Sequence, residues 1–596
     1  MSLFPSSISG SGTDANPGTW LTSISGHASR TPGKTAVISG KRSLTYSWLE
    51  TRSNQFAHLL LSRGHQPGDL IGLGLNRGIE LITALLGILK IGAAYVPLDP
   101  SYPAARLEQM IASAGLEHVT HALDESELAA FSENPPAISI SGDQRIYAIF
   151  TSGSTGIPKA AAVYHRGFSN LLDWYRTELT LSPDDTALVI SSPSFDLTQK
   201  NFYAPLVAGG TLVFDEESTY DITRISRLIR ENRVSLINCT PSAFYPLVDA
   251  AAADDFRDLS SLRFAVLGGE PISIPRLRAW LEHPNCRAEV MNSYGPTECT
   301  DICLIHRLHR GNLNDFPFVP LGHEIPNVEV TLRDENLQPV PDGEIGEICI
   351  GGVSLGEGYL NDPEKTASRF IDGIYKTGDL GKRHACGTFE FRGRADYQVK
   401  VNGFRIELGE IELSLSQHAS VREAVVIACE NRLIAHIQGD AAVSTLRDHL
   451  AARLPAYMIP AEFHFVETFP LTPNGKIDRK ALTEVSAPTT ISTNATTLEK
   501  SILALWSEIL GKPLHDATAN FFDLGGNSIH LAVVHVRLVK MANRDFPITE
   551  LFALPTARAI AAFLSPEQTA GTAPTAQDRA RLAQAGFSRF RRPLPR

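Results

Sequence analysis

The chain has 596 residues, 43% apolar and 20% charged, with a formal net charge of −11. That length is too great for one hydrophobic core and predicts roughly three to four domains, while the acidic balance argues against a general attraction to nucleic acid or to an anionic membrane. The seven cysteines are scattered without metal spacing and read as free thiols in a reducing compartment.

Residues 1–19 are rich in Ser and Gly and lack an apolar core, so they read as a disordered start and not as a secretory signal. The most apolar run, Leu81 to Leu89, stops at Lys90, too short to span a bilayer. A cytoplasmic protein with no membrane partner is expected. From 20 to 395, short apolar runs alternate with amphipathic stretches: a helix over 49–61, then strands at 70–75, 186–191, 234–239 and 262–269. This is an α/β pattern with largely buried sheets.

Within that unit lies "IFTSGSTGIPKAA", residues 149–161. Tyr147 to Phe150 read as the end of a buried strand, after which the chain turns at Gly153 and Gly156. Backbone N–H groups freed by glycine, four hydroxyls and one ammonium together suit an oxyanion such as a phosphate chain. The P-loop NTPase motif needs a Gly-Lys-Ser/Thr run, and Ile157 and Pro158 break it here. Taken alone, the stretch also fits a plain surface turn.

Residues 396–484 read as a smaller α+β unit with a helix near 444–453, and residues 485–497, Ser, Thr, Ala and Pro without an apolar face, as a linker. A helical unit over 498–565 opens with a capping box, Thr496-x-x-Glu499, followed by Leu498, Ile502, Leu505, Trp506 and Ile509 on one face. Its second helix is predicted to start at Ser528, with Ile529, Val533, Val536 and Val539 turned to the core. Residues 566–596 include a basic stretch, 572–596, with six arginines against one acid, expected to be a mobile or docking tail.

Separated stretches then agree in order with one family: "LTYSWLE" (44–50), "LKIGAAYVPLDPSYP" (89–103), the loop above, "NSYGPTE" (292–298), "GEIGEICIGG" (343–352), "YKTGDL" (375–380), "FRGRADYQVKVNGFRIELGEIE" (391–412) and "LTPNGKIDRKAL" (471–482). From about 20 to 565 the chain resembles an adenylation domain of nonribosomal peptide synthetases, of the adenylate-forming superfamily, fused to a peptidyl carrier domain. The resemblance implies a multidomain fold: a large α/β subdomain, a small α+β subdomain and an all-α carrier bundle. It implies coupling of an amino acid to ATP as an acyl-adenylate, then transfer to a phosphopantetheine thiol. Lys159, with Thr151, Ser152, Gly153, Ser154, Thr155 and Gly156, would hold the β- and γ-phosphates. Tyr294 would stack on adenine, Glu298 would hold Mg²⁺, and Asp379 would accept from the ribose hydroxyls with Arg394 assisting. Alone, Asp379 would pass for a turn cap and Lys476 for a solvated turn residue.

Lys476 of "PNGKIDR" is implied as the catalytic ammonium between substrate carboxylate and α-phosphate. Asp396 matches the hinge about which the small subdomain swings between two poses, the second bringing "VKVNGFRIELGE" to the site in place of Lys476. Many relatives read Arg-Gly where this chain has Asn402-Gly403. Ser528, otherwise a plain N-cap, becomes the 4'-phosphopantetheine attachment site. A phosphopantetheinyl transferase is implied as partner, with a condensation, tailoring or thioesterase enzyme acting in trans.

Residue by residue, the amino-acid pocket maps to Asp196, which would hold the α-amine, and to Leu197, Lys200, Asn238, Val266, Gly268, Ser293, Asp301 and Ile302, with Lys476 at its mouth. Lys200, Asn238 and Asp301 cannot lie unpaired beside an aliphatic side chain, so a polar substrate is expected, unless Lys200 and Asp301 pair and leave a small neutral pocket. The rival readings are an acyl- or aryl-CoA ligase, which Asp196 and the fused carrier oppose, and an inactive carrier scaffold.

Overall fold

The computed structural model describes residues 19–565 apart from 154–157, 218, 316, 396–397, 430–431, 471–476, 478, 483–494, 523, 525 and 527. Ser154, Thr155, Gly156, Asp396, Lys476, the first 18 residues, most of the linker and the basic tail therefore lie outside the described residues, as does the side chain of Ser528.

The large N-terminal part is built on buried sheets. One has nine strands in the order 323–324, 304–308, 289–294, 264–268, 236–239, 186–189, 211–214, 35–39 and 42–45. Its six middle neighbours run parallel, and strands Leu236–Cys239 and Phe264–Gly268 are buried at every position. Such strands need helices on both faces, so they read as unbroken apolar runs. A six-stranded sheet holds Lys159–Tyr164, Arg145–Thr151, Ala94–Pro97 and Leu70–Leu73, and a five-stranded antiparallel sheet holds Ile345–Gly352 and Ile374–Arg383. The helix predicted over 49–61 runs Tyr46–Ser62, because Thr45 caps it by accepting the Trp48 N–H at 3.2 Å.

The small subdomain starts with a hairpin, Gln398–Val401 paired to Phe404–Glu407. Asn402 (φ 50°) and Gly403 (φ 80°) are both left-handed, the two-residue turn that Asn-Gly favours. Helix Leu408–Ser416 and a three-stranded sheet of Val421–Cys429, Arg432–Gly439 and Glu462–Phe465 follow. The carrier unit is helical, and Thr496 and Glu499 form the expected reciprocal capping box on helix Thr497–Leu510.

The second carrier helix, Ser528–Ala542, starts where the sequence predicts, and Val539 packs against the carrier core as expected, but the rest of the core face differs. Leu531, Val534 and Leu538 enter the carrier core with Ile502 and Trp506. Val533 and Val536, expected inside, join Ala532, Ile548 and Phe552 against the apolar cluster of helices Ile222–Glu231 and Pro241–Ala251 in the large subdomain. The helix is apolar on two sides, and periodicity alone cannot say which side faces its own bundle. A second grip comes from Lys512, whose Nζ lies 2.5 Å from Glu462 of the small subdomain. The carrier thus touches both subdomains at once.

Two substitutions in the full chain separate these faces. Leu531→Ala should destabilise the carrier by about 2–5 kcal/mol and speed amide exchange throughout its helices. Val536→Ser should leave those amides within about 0.5 kcal/mol while raising exchange in helices Ile222–Glu231 and Pro241–Ala251.

Candidate functional site

Strands Leu236–Cys239, Phe264–Gly268 and Glu289–Tyr294 are parallel neighbours, with Asn238 opposite Val266 and Gly268 opposite Ser293. Their carboxyl ends open on one crevice, where open α/β sheets bind ligands. Beyond Tyr294 the chain makes a tight turn: Thr300 (φ 57°) and Asp301 (φ 69°) are left-handed non-glycine residues, and a Cβ on Gly295 would come within 1.8 Å of the Asp301 carbonyl oxygen. Backbone strain of this kind concentrates at working sites. Here it presents Thr297 and Glu298.

Glu298 is fully buried. Its Oε1 accepts the Tyr359 hydroxyl at 2.6 Å, and its Oε2 accepts Arg405 Nη1 at 2.8 Å. Burial alone would raise its pKa, but the charges of Arg405 and Lys159 and the Tyr359 hydroxyl together hold the carboxyl at about 2. Lys159 opens strand Lys159–Tyr164 and pairs in register with Thr151, so the phosphate-type loop is the connection between two fixed strands. Its Nζ lies 3.3 Å from the Tyr359 hydroxyl and 4.6 Å from that ring's centre. Burial, with Arg405 nearby, brings the ammonium down to about 8.

A second group stands beside it. Asp379 accepts the Tyr294 hydroxyl at 2.6 Å and pairs with Arg394. It lies within strand Ile374–Arg383, so the turn-cap reading does not apply. Lys400 reaches over the Tyr294 ring at 5.5 Å, and burial lowers its pKa. Lys400 and Arg405 are cross-strand partners in the small subdomain's hairpin, which is why both enter the site from one face. The hairpin is firmly seated: Ser152 Oγ donates to the Arg405 carbonyl at 3.0 Å and accepts the Glu407 N–H at 3.1 Å. The Gly153 N–H donates to Glu410 at 3.1 Å, and Glu410 pairs with buried Arg106. Phe404 stacks on Tyr457 at 3.9 Å and lies 5.7 Å from Phe195, next to Asp196.

Asp196 opens helix Asp196–Val207 and accepts Thr297 Oγ1 at 2.5 Å. Burial, with the charge of Asp301 adding, raises its carboxyl to about 6. Leu197, Val266, Gly268, Ser293 and Ile302 are buried around it. Lys200, with no exposed surface, bonds Asp301 Oδ2 at 2.5 Å and the Leu197 carbonyl at 3.0 Å. The pairing alternative is therefore the one found. Asn238 is buried too; the Tyr175 hydroxyl lies beside it, but neither atom of its carboxamide makes a hydrogen bond of good geometry.

The structure thus gathers Thr151, Ser152, Gly153, Lys159 and Glu298 at one end of the crevice, Tyr294, Asp379 and Arg394 beside them, and the Asp196 group next to Thr297. Tyr359, Thr297, Lys400 and Arg405 also belong to this site, although the motifs do not single them out. The last two carried a legible signal, since an Asn-Gly turn places residues 400 and 405 opposite one another. Among the described residues no three His, Cys, Asp or Glu side chains stand close enough together to hold a metal ion. Glu298 Oε2 is a hard oxygen already facing a cation, which fits one protein ligand of a magnesium ion that keeps phosphates and waters as its others.

Removing one partner of the Lys200–Asp301 pair should be costly because the other stays buried and charged. Lys200→Met is expected to destabilise the chain by about 3–5 kcal/mol, and Lys200→Met with Asp301→Leu to recover most of that loss in denaturant melts.

A family model described as AMP-binding enzyme matches residues 24–360, one described as AMP-binding enzyme C-terminal domain matches 410–476, and one described as phosphopantetheine attachment site matches 500–564. Gramicidin S synthase 2 of Brevibacillus brevis is 35% identical over 578 residues, 91% of this chain and 13% of that protein. Tyrocidine synthase 3 of Brevibacillus parabrevis is 36% identical over 579 residues, 90% of this chain and 9% of that protein. The chain thus spans only a small part of the curated relatives it matches. The solved structure of holo-PA1221, described as an NRPS protein containing adenylation and PCP domains bound to a vinylsulfonamide inhibitor, superposes with a TM-score of 0.78 at 28% identity, covering 91% of this chain and 96% of that one. The chain belongs to the AMP-binding enzyme family: an ATP-dependent adenylating ligase carrying a phosphopantetheine attachment domain, in the manner of nonribosomal peptide synthetases.

Proposed function

We propose that this chain activates an α-amino acid with an uncharged polar side chain as its aminoacyl-adenylate and loads it onto its own carrier domain. The observation that carries the reading is the turn at Thr297-Glu298. Thr297 binds the carboxylate suited to an α-ammonium, and the next residue faces Lys159 and the phosphate-type loop. One turn therefore sets the amino acid beside the nucleotide's phosphates, and holding reactants together in this way supplies much of the rate.

In this reading Asp196 binds the substrate amine, while Lys159 and residues 151–156 hold the β- and γ-phosphates. Tyr294 packs on the adenine, and Asp379, steadied by Arg394, takes the ribose hydroxyls. Lys476 neutralises charge where the carboxylate meets the α-phosphate. Magnesium bound at Glu298 supplies further neutralisation of the phosphates. Phosphopantetheine on Ser528 supplies the accepting thiol, and the hinge at Asp396 lets the small subdomain exchange Lys476 for the 398–407 hairpin. Hairpin docking in the crevice, with the carrier gripping both subdomains, supports the second pose as the one seen.

Charge balance supports the choice of side chain. Lys200 and Asp301 neutralise each other, so a charged substrate gains no partner there. The Asn238 carboxamide, with only a poorly formed contact to the Tyr175 hydroxyl, keeps donor and acceptor capacity whose neglect costs about 1–3 kcal/mol until something fills it. A carboxamide or hydroxyl side chain would do so. An acyl- or aryl-CoA ligase has no use for Asp196, and an inactive scaffold has no use for an ionised buried Glu298. A cytoplasmic setting, a phosphopantetheinyl transferase and a partner acting in trans on the loaded carrier complete the proposal.

ATP–pyrophosphate exchange across the amino acids tests it. Polar neutral side chains should lead, and exchange with none of them would contradict the reading. Lys476→Ala should abolish exchange while Ser528→Ala spares it and removes only loading, read by intact mass. Asn238→Leu should lower kcat/KM for the preferred substrate on the order of a hundredfold. Because the ammonium binds the ionised form of Asp196, amino-acid affinity should be level above pH about 6 and fall below it. Asp196→Asn should be weak at every pH.

A further inference from the structure

The hairpin does more than occupy space near the phosphates. It takes over the groups that would hold them. Ser152 and Gly153 of the phosphate-type loop spend a hydroxyl and an N–H on the Arg405 carbonyl, the Glu407 N–H and the Glu410 carboxylate. Both oxygens of Glu298 are engaged, Oε2 by the Arg405 guanidinium. That guanidinium is fixed from behind, since its Nε donates to Gln398 Oε1 at 2.7 Å and Gln398 Nε2 donates to Glu407 at 2.6 Å. It is therefore a preorganised cation delivered to one carboxylate, not a surface arginine that has drifted in.

The geometry points to Arg405 as a protein-borne replacement for the magnesium ion: when the hairpin docks, its guanidinium takes the metal's place on Glu298 and excludes magnesium pyrophosphate from the site. The inference rests on the function proposed above. When the metal departs with pyrophosphate, buried Glu298 loses one of its two countercharges and keeps only Lys159, and a buried carboxylate with less than its full set of partners is disfavoured. Arg405 supplies the countercharge at that moment, so docking is favoured by departure of the metal and opposed by its return. The activated acid is thereby protected from reversal by pyrophosphate during transfer to the carrier. Arg405 is in this sense a positioning residue for the second half of the reaction, acting through Glu298.

Seating also depends on the hairpin's tip. A Cβ on Gly403 would lie 2.1 Å from Thr240 Cγ2, and a Cβ on Gly269 would lie 3.1 Å from the Gly403 carbonyl oxygen. Gly403→Val would unseat the hairpin without removing any charge from the site, and so gives a second route to the same state.

Calorimetric titration of the full chain with magnesium pyrophosphate, and with pyrophosphate in chelator, tests the inference without reference to turnover. An occupant that must leave before a ligand enters lowers apparent affinity by the fraction of molecules it holds closed. Arg405→Met should therefore bind magnesium pyrophosphate on the order of tenfold tighter than wild type, with no gain for metal-free pyrophosphate, and Gly403→Val should tighten the magnesium complex as well. Unchanged affinity in Arg405→Met, or weaker binding that marks Arg405 as an ordinary anion ligand, would overturn it, as would tightening in Gly403→Val alone. If no protein binds magnesium pyrophosphate yet wild type catalyses exchange, only this inference fails. If exchange is absent too, the proposed function fails with it.

Discussion

A single carboxylate organises this molecule. Glu298 lies at the bottom of the crevice with no exposed surface, and two cations and the Tyr359 hydroxyl favour its ionised form against burial. Transfer of such a charge out of water costs several kcal/mol unless a partner repays it, so the structure is committed to keeping a cation there. Lys159 is always near, fixed by the pairing of its strand with the strand before the loop. The other cation, Arg405, arrives from a different subdomain. The position of that subdomain is therefore tied electrostatically to what else stands on Glu298.

Several features follow from this constraint. The Asn402-Gly403 turn closes a two-residue hairpin whose facing positions carry Lys400 and Arg405, so one rigid element delivers two positive charges to a site that also holds Asp379. Glu410 anchors the base of that element by pairing with Arg106 across the subdomain boundary. The carrier reads the same arrangement from outside. Its helix Ser528–Ala542 lies on the large subdomain through Val533 and Val536, while Lys512 holds Glu462 on the small one. In the proposed reading, a carrier that needs both surfaces docks fully only when the subdomains stand in this relation, which would couple loading to the pose that shields Glu298.

Much of the architecture was legible in the sequence because it rests on local rules. The buried parallel strands are short unbroken apolar runs, and the carrier's first helix announces itself by a capping box. What could not be read were choices made between distant residues. Lys200 and Asp301 are 101 positions apart, and only the fold decides that they neutralise each other and leave Asn238 as the unmatched group. Arg405 and Glu298 are 107 apart and belong to different subdomains. Val533 and Val536 read as carrier core in sequence because a helix with two apolar sides looks there like a helix with one broad side.

In the proposed cycle Arg405 and the metal-bound phosphates alternate on Glu298 as the small subdomain swings. The most direct measurement is a distance distribution, by pulsed electron resonance, between labels on the exposed side chains Arg257 of the large subdomain and Arg422 of the small one. With AMP alone the distribution should centre on the separation seen here, and with magnesium and a non-hydrolysable ATP analogue it should move to a second, distinct separation. A single unchanged distribution under both conditions would contradict the account.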